Sequence, residues 1–112
     1  MASLVGWMQQ EGVAVTHASG GLDFPDPYKI GRHEPDALGT RDGVVWIGEA
    51  KIGSDLSDQT SQQQFADFSQ QQMTDSGSPC PFVLCVPQDF ADEAMSAVTA
   101  AGGSTENLTV IA

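Results

Sequence analysis

The stretch that most constrains this chain is HEPDALGTRDGVVWIGEAKIG, residues 33–53, in which two strand-like runs flank Asp42-Gly43. Asp-Gly in that setting is among the strongest short-range hairpin signals, because both central residues of a type I′ turn require positive φ. It predicts antiparallel strands over about 34–40 and 44–52. A two-residue loop also fixes the register: opposed residues have numbers that sum to 85, so Asp36 faces Glu49 and Glu34 faces Lys51. Opposed residues share a face of the pleat, as do residues two apart on one strand. Glu34, Asp36, Glu49 and Lys51 are therefore expected on one patch, with Cβ atoms about 4.5–5.5 Å apart across the pair.

That patch is charged where a core is expected. Glu49 and Lys51 continue the strand face of Val45 and Ile47, and solvent-facing charges normally alternate with core residues rather than follow them. Two carboxylates this close repel unless a cation lies between them or one is protonated. A hard divalent ion such as Mg²⁺, which takes oxygens from one or two carboxylates plus water, resolves the conflict. The Lys51 ammonium beside it is suited to stabilising charge on a phosphoryl group or to orienting an attacking water. The plain alternative is a surface ion pair between Glu34 and Lys51, with Asp36 and Glu49 simply solvated.

The remaining chain reads as one domain over residues 1–112. Leu4, Val5, Trp7 and Met8 give residues 2–11 a short amphipathic helix pattern closed by Gly12, and VAVTHAS at 13–19 reads as a strand. Glycines and prolines make 20–27 a loop, with YKIG a start for the next strand. Beyond the hairpin, Ser and Asp N-cap candidates with Phe65 and Phe68 on one face predict a helix over 55–73. PFVLCV at 81–86 is the apolar run of a strand covered on both faces, followed by a helix over 89–101 stopped at Gly102-Gly103 and a last strand in NLTVIA. Cys80 and Cys85, five apart on a strand and so about 16 Å distant on opposite faces, cannot bridge. They read as buried, reduced thiols.

No apolar run approaches the ~20 residues of a membrane span. MASLVGWMQQEG lacks the basic and long apolar regions of a secretory signal, so the expectation is a cytoplasmic protein with no membrane partner.

Pro35-Asp36, twelve intervening residues, then Glu49-Ala50-Lys51 resembles the PD-(D/E)XK signature of the restriction-endonuclease-like nucleases. The element order resembles that superfamily's αβββαβ core over residues 2–86, a central mixed sheet flanked by helices, here with a C-terminal αβ extension. The resemblance implies hydrolysis of phosphodiesters with Mg²⁺ or Mn²⁺, Asp36 and Glu49 as metal ligands and Lys51 as the charge-stabilising or water-orienting group. Gln64, in Gln64-Phe65 or spaced to Phe68, resembles the glutamine that relatives of the RecB-like type carry on the helix after the motif. Two departures stand out: the only first-helix acid is Glu11, at the helix end, and Glu34 precedes Pro35-Asp36 as an additional candidate ligand. A second Pro-Asp, at Asp26, sits in the proline-rich loop without a hairpin register. His17 and His33 are candidate proton carriers.

Charge limits the substrate. Fifteen acidic residues against four basic ones give a net charge of −11, mostly through missing cations, a balance like that of proteins from salt-adapted organisms. Nucleic-acid affinity draws on Lys and Arg, and besides Lys51 only Lys29, Arg32 and Arg41 are present, as a small basic rim for substrate. A nucleic acid held weakly by this chain alone is the expectation, with a homodimer or larger assembly supplying more contacts. The competing expectation is a catalytically inactive domain of the same fold, its acidic surface a protein-interaction module.

Overall fold

A computed structural model describes residues 4–20 and 23–112, so residues 2 and 3 of the first expected helix and residues 21 and 22 of the loop lie outside the described residues. The turn at Asp42-Gly43 organises the sheet. Both residues have positive φ, 53° and 79°, and they join β2 (Ala37–Arg41) to β3 (Val44–Ala50). The pairs Ala37↔Gly48, Leu38↔Ile47 and Arg41↔Val44 carry the register that a two-residue loop dictates.

The strands form one five-stranded mixed sheet in the order β1-β2-β3-β4-β5, with β1 at Ala14–Ala18, β4 at Phe82–Cys85 and β5 at Leu108–Ile111. β2 runs antiparallel to β1 and β3, while β3, β4 and β5 are mutually parallel. The parallel steps are bridged by α2 (Gln59–Ser69) and α3 (Ala91–Ala100). Both steps go the same way along the sheet, so one crossover hand puts both helices on one face. There Leu38, Ile47, Phe82 and Leu84 pack with Phe65, Phe68, Ala94 and Val98. α1 (Leu4–Gln10) covers the opposite face, with Leu4 and Met8 against Ala37, Val83 and Cys85. β4 is buried on all four residues, as its unbroken apolar run requires. Cys80 and Cys85 are buried thiols on opposite faces, each titrating above its ordinary range because burial penalises the thiolate.

Three boundaries differ from expectation. β2 starts at Ala37, not 34, because Pro35 has no N–H to donate and the chain before it turns back on itself, Ile30 bridging His33 around Gly31 at φ +67°. For the same reason YKIG makes only that isolated bridge and starts no strand. α2 begins at Gln59 because the Asp58 carboxylate accepts from Ser61 N–H at 2.7 Å, an N-cap that fixes the first turn; residues 53–55 form a separate 3₁₀ turn. No helix among the described residues is long and apolar enough to cross a membrane.

Close approach of α1 to the sheet depends on Gly48. A Cβ there would meet Met8 Sδ at 3.0 Å and the Leu4 methyls at 3.1 and 3.2 Å. Gly48→Val is expected to destabilise the fold by about 1–3 kcal/mol through overpacking, read as a lower urea midpoint with unchanged slope; an unchanged midpoint would show that α1 yields freely.

Candidate functional site

The start of β2 and the end of β3 meet at the same end of the sheet, because the two strands are antiparallel. Asp36, one residue before β2, donates its N–H to Gly48 C=O at 3.0 Å and to Glu49 Oε1 at 3.1 Å. Its own carboxylate accepts from Ala50 N–H at 2.8 Å and from the Ser19 hydroxyl at 3.3 Å. Glu49 Oε2 lies 3.2 Å from Lys51 Nζ, and these side chains are only 4% and 14% exposed. Asp36, Glu49 and Lys51 therefore converge as the register requires, on the face that carries Leu38 and Ile47.

Such an arrangement is electrostatically tense. Burial, then the neighbouring Asp36 charge, pushes the Glu49 carboxyl up to about 7, against the opposing pull of Lys51. Near neutrality Glu49 is thus poised between an acid and a carboxylate.

Helix α2 forms the facing wall. Phe65 and Phe68 stack against Phe82, at centroid distances of 6.4 and 5.8 Å, toward the start of β4. Ser61 and Gln64, a turn earlier on the same inner side, lie toward the other end of the strands, where the Lys51 charge also helps to hold Asp58 below the usual carboxylate range after its hydrogen bonds from Ser61. Both are buried; Ser61 serves the Asp58 cap, and Gln64 Oε1 has no hydrogen-bond partner among the described residues. A buried acceptor left unsatisfied costs about 1–3 kcal/mol, so Gln64 Oε1 suits a polar ligand that donates to it.

The structure does not gather every expected residue. Glu34 is exposed beyond the end of the ladder, and the ion pair of Lys51 is to Glu49; the pairing of Glu34 with Lys51 is corrected, since Pro35 ends the register before it applies. Arg32 does not form a substrate rim: its guanidinium grips Asp67 of α2 through Nε and Nη2, each at 3.0 Å, which holds the Asp67 carboxyl below its ordinary range. Arg41 sits by the hairpin tip, 3.9 Å from Asp42 and 6.0 Å above the Trp46 ring, five residues or about 16 Å along the strand from Asp36. Lys29 is exposed and has no ion pair among the described residues.

His33 Nε2 is committed to Gln63 Oε1 at 2.8 Å, a tie between loop and helix. Glu11 is exposed at the end of α1, on the opposite face of the sheet from Glu49, and Asp26 is exposed in its loop. The sequence reading passed over Ser19 and Ser61. Nothing local marks Ser19, whose role comes from β1 lying beside β2; Ser61 was legible only as the residue three before Gln64 on one helix face.

For a hard divalent cation the donor set fits. The Asp36 and Glu49 carboxylates are neighbours at one end of the sheet, and carboxylate oxygens are the donors such an ion takes. Comparison with family models, with curated proteins and with solved structures yields no match in any of the three.

Proposed function

We propose that this chain is a cytoplasmic, divalent-metal-dependent nuclease of the restriction-endonuclease-like type, cleaving phosphodiester bonds of DNA or another nucleic acid. The observation that carries the reading is the convergence of Asp36, Lys51 and the buried Glu49 at one end of the sheet, with Asp36 N–H 3.1 Å from Glu49 Oε1 and Lys51 Nζ 3.2 Å from Glu49 Oε2. The element order supports it too: helix, three antiparallel strands, helix, strand, then a helix and strand.

Asp36 and Glu49 would hold Mg²⁺ or Mn²⁺, which supplies Lewis-acid polarisation of the phosphoryl oxygen and a more acidic water. Ser19 and Ala50 N–H fix the Asp36 carboxylate in place. Lys51 moves from its contact with Glu49 toward the phosphoryl oxygens, where negative charge grows, and Gln64 Oε1 accepts from the attacking water. With Arg32 tied to Asp67 and Arg41 out at the hairpin tip, short or single-stranded substrate suits this chain better than long duplex, and a homodimer or larger assembly would add the missing cations.

That same shortage of cations favours one second reading, a catalytically inactive nuclease-fold domain that binds protein partners. Nicking of supercoiled plasmid and of single-stranded oligonucleotides with Mg²⁺ or Mn²⁺, over a range of salt, separates the two. Activity that falls with Asp36→Ala and Lys51→Ala is expected; equal traces from all three proteins would overturn the nuclease reading.

A further inference from the structure

β1 contains an irregularity that the fold does not need. Val15 pairs with Gly39 and His17 with Leu38, so two steps on β1 match one on β2, and Thr16 is the extra residue. Paired residues share a face. Val15 accordingly packs with the α1 cluster, and without the bulge His17, two residues later, would lie on that side as well. The bulge turns His17 to the face of Leu38 instead, which is the face of Asp36, Glu49 and Lys51. Bulges re-aim side chains in this way beside active sites.

The re-aimed ring is held. Thr16 Oγ1 lies 3.3 Å from Leu38 C=O and 2.8 Å from His17 Nδ1, hydrogen-bond contacts that fix the ring beside the strand. The Tyr28 ring meets His17 edge-on, at 5.4 Å between centroids and 85° between planes. Nε2 is uncommitted among the described residues. Two residues further along β1, Ser19 bonds to Asp36 through both its N–H and its hydroxyl. Asp36 is the diagonal neighbour of His17, at a Cβ separation of about 7–8 Å, a gap that one phosphate group spans. Tyr28 is 51% exposed and Lys29 follows it, which leaves this flank open to solvent.

We propose that His17 is a substrate-binding residue of this site, presented by the bulge at Thr16, its Nε2–H donating to a phosphodiester oxygen. The proposal rests on the nuclease reading for the identity of the ligand, a nucleic-acid phosphodiester. Lys29 adds charge on the same flank.

The chain has two histidines, so their ring C–H signals are readily assigned by NMR. The probe is a short phosphorothioate oligothymidylate with Ca²⁺ in place of Mg²⁺, added to the full chain. The His17 signals are expected to shift with saturation while those of His33 stay still. His17→Ala weakens oligonucleotide binding about tenfold, the scale of a lost hydrogen bond to a charged group, and His17→Gln restores part of it. Thr16→Val, which keeps the bulge and loses the hydroxyl, is expected to weaken binding severalfold. Bound oligonucleotide with stationary His17 signals, or full affinity in His17→Ala, overturns the proposal even where cleavage still depends on Asp36 and Lys51. Shifts of His17 without cleavage in any metal overturn the nuclease reading and leave the binding role standing.

Discussion

Lys51→Ala is expected to lower the single-turnover cleavage rate by about 10²–10³-fold, the usual loss when one donor aimed at developing charge is removed, with a much smaller change in substrate affinity. The substitution does two things. It takes away the cation paired with Glu49, and it leaves Glu49 without its ion pair at 3.2 Å. Lys51 opposes the rise in the Glu49 titration, so its removal sends that carboxyl still higher than about 7. More Glu49 is then protonated at neutral pH, and the rising limb of the pH–rate profile moves to higher pH in the variant. Lys51→Arg restores charge but not shape: a broad planar fork cannot occupy the place of a compact ammonium, and the rate stays well below that of the natural protein. Circular dichroism shows whether each variant keeps its sheet. A folded Lys51→Ala protein that cleaves at the natural rate would sink the assignment of Lys51 to the reaction.

The hairpin was legible in the sequence because a single dipeptide decides it. Asp42-Gly43 sets the turn type, the turn sets the loop length, and the loop length sets which residues face each other, so Asp36 opposite Glu49 follows from counting. The counting ends where backbone chemistry changes. Pro35 halts the ladder, and Glu34 falls outside it although its number satisfies the same sum.

Arg32 is a different kind of miss. Its position next to the hairpin suggested a phosphate, but the turn at Gly31 carries it to Asp67, thirty-five residues on in α2. That pairing depends on where a helix docks, which no local pattern encodes. The bulge at Thr16 is similarly silent: VAVTHAS alternates like any regular strand, and only the partner strand shows that His17 has changed sides. Gln64 was one among seven glutamines between 59 and 72, and burial is what sets it apart.

Glu49→Gln is expected to stabilise the fold at alkaline pH by at most about 3 kcal/mol, less the cost of an amide NH₂ that faces Lys51 Nζ or the Asp36 N–H in place of a carboxylate oxygen. Glu49 titrates near 7 in the folded chain against 4.5 for an ordinary glutamate. Below the ordinary value both folded and unfolded chains hold the proton, and Glu49 contributes nothing adverse. Between about 4.5 and 7 the folded chain keeps a proton that the unfolded chain has released, so stability falls as pH rises. Above 7 both forms are ionised, and the folded state bears the whole cost of a carboxylate that is 4% exposed beside Asp36. A neutral amide of the same shape escapes that cost, so urea midpoints of the two proteins should coincide near pH 4 and separate steadily up to pH 8. Divalent cation closes the gap from the other side: Mg²⁺ at about ten times its dissociation constant adds roughly 1.4 kcal/mol to the natural protein, several degrees in Tm for a chain of this size, and far less to Glu49→Gln. A midpoint for the natural protein that is flat in pH and indifferent to Mg²⁺ would mean that the acidic pair is not strained and holds no metal. The opposite result would identify Glu49 as a residue that weakens the fold wherever metal is absent, which is what a site selected for chemistry rather than for stability looks like.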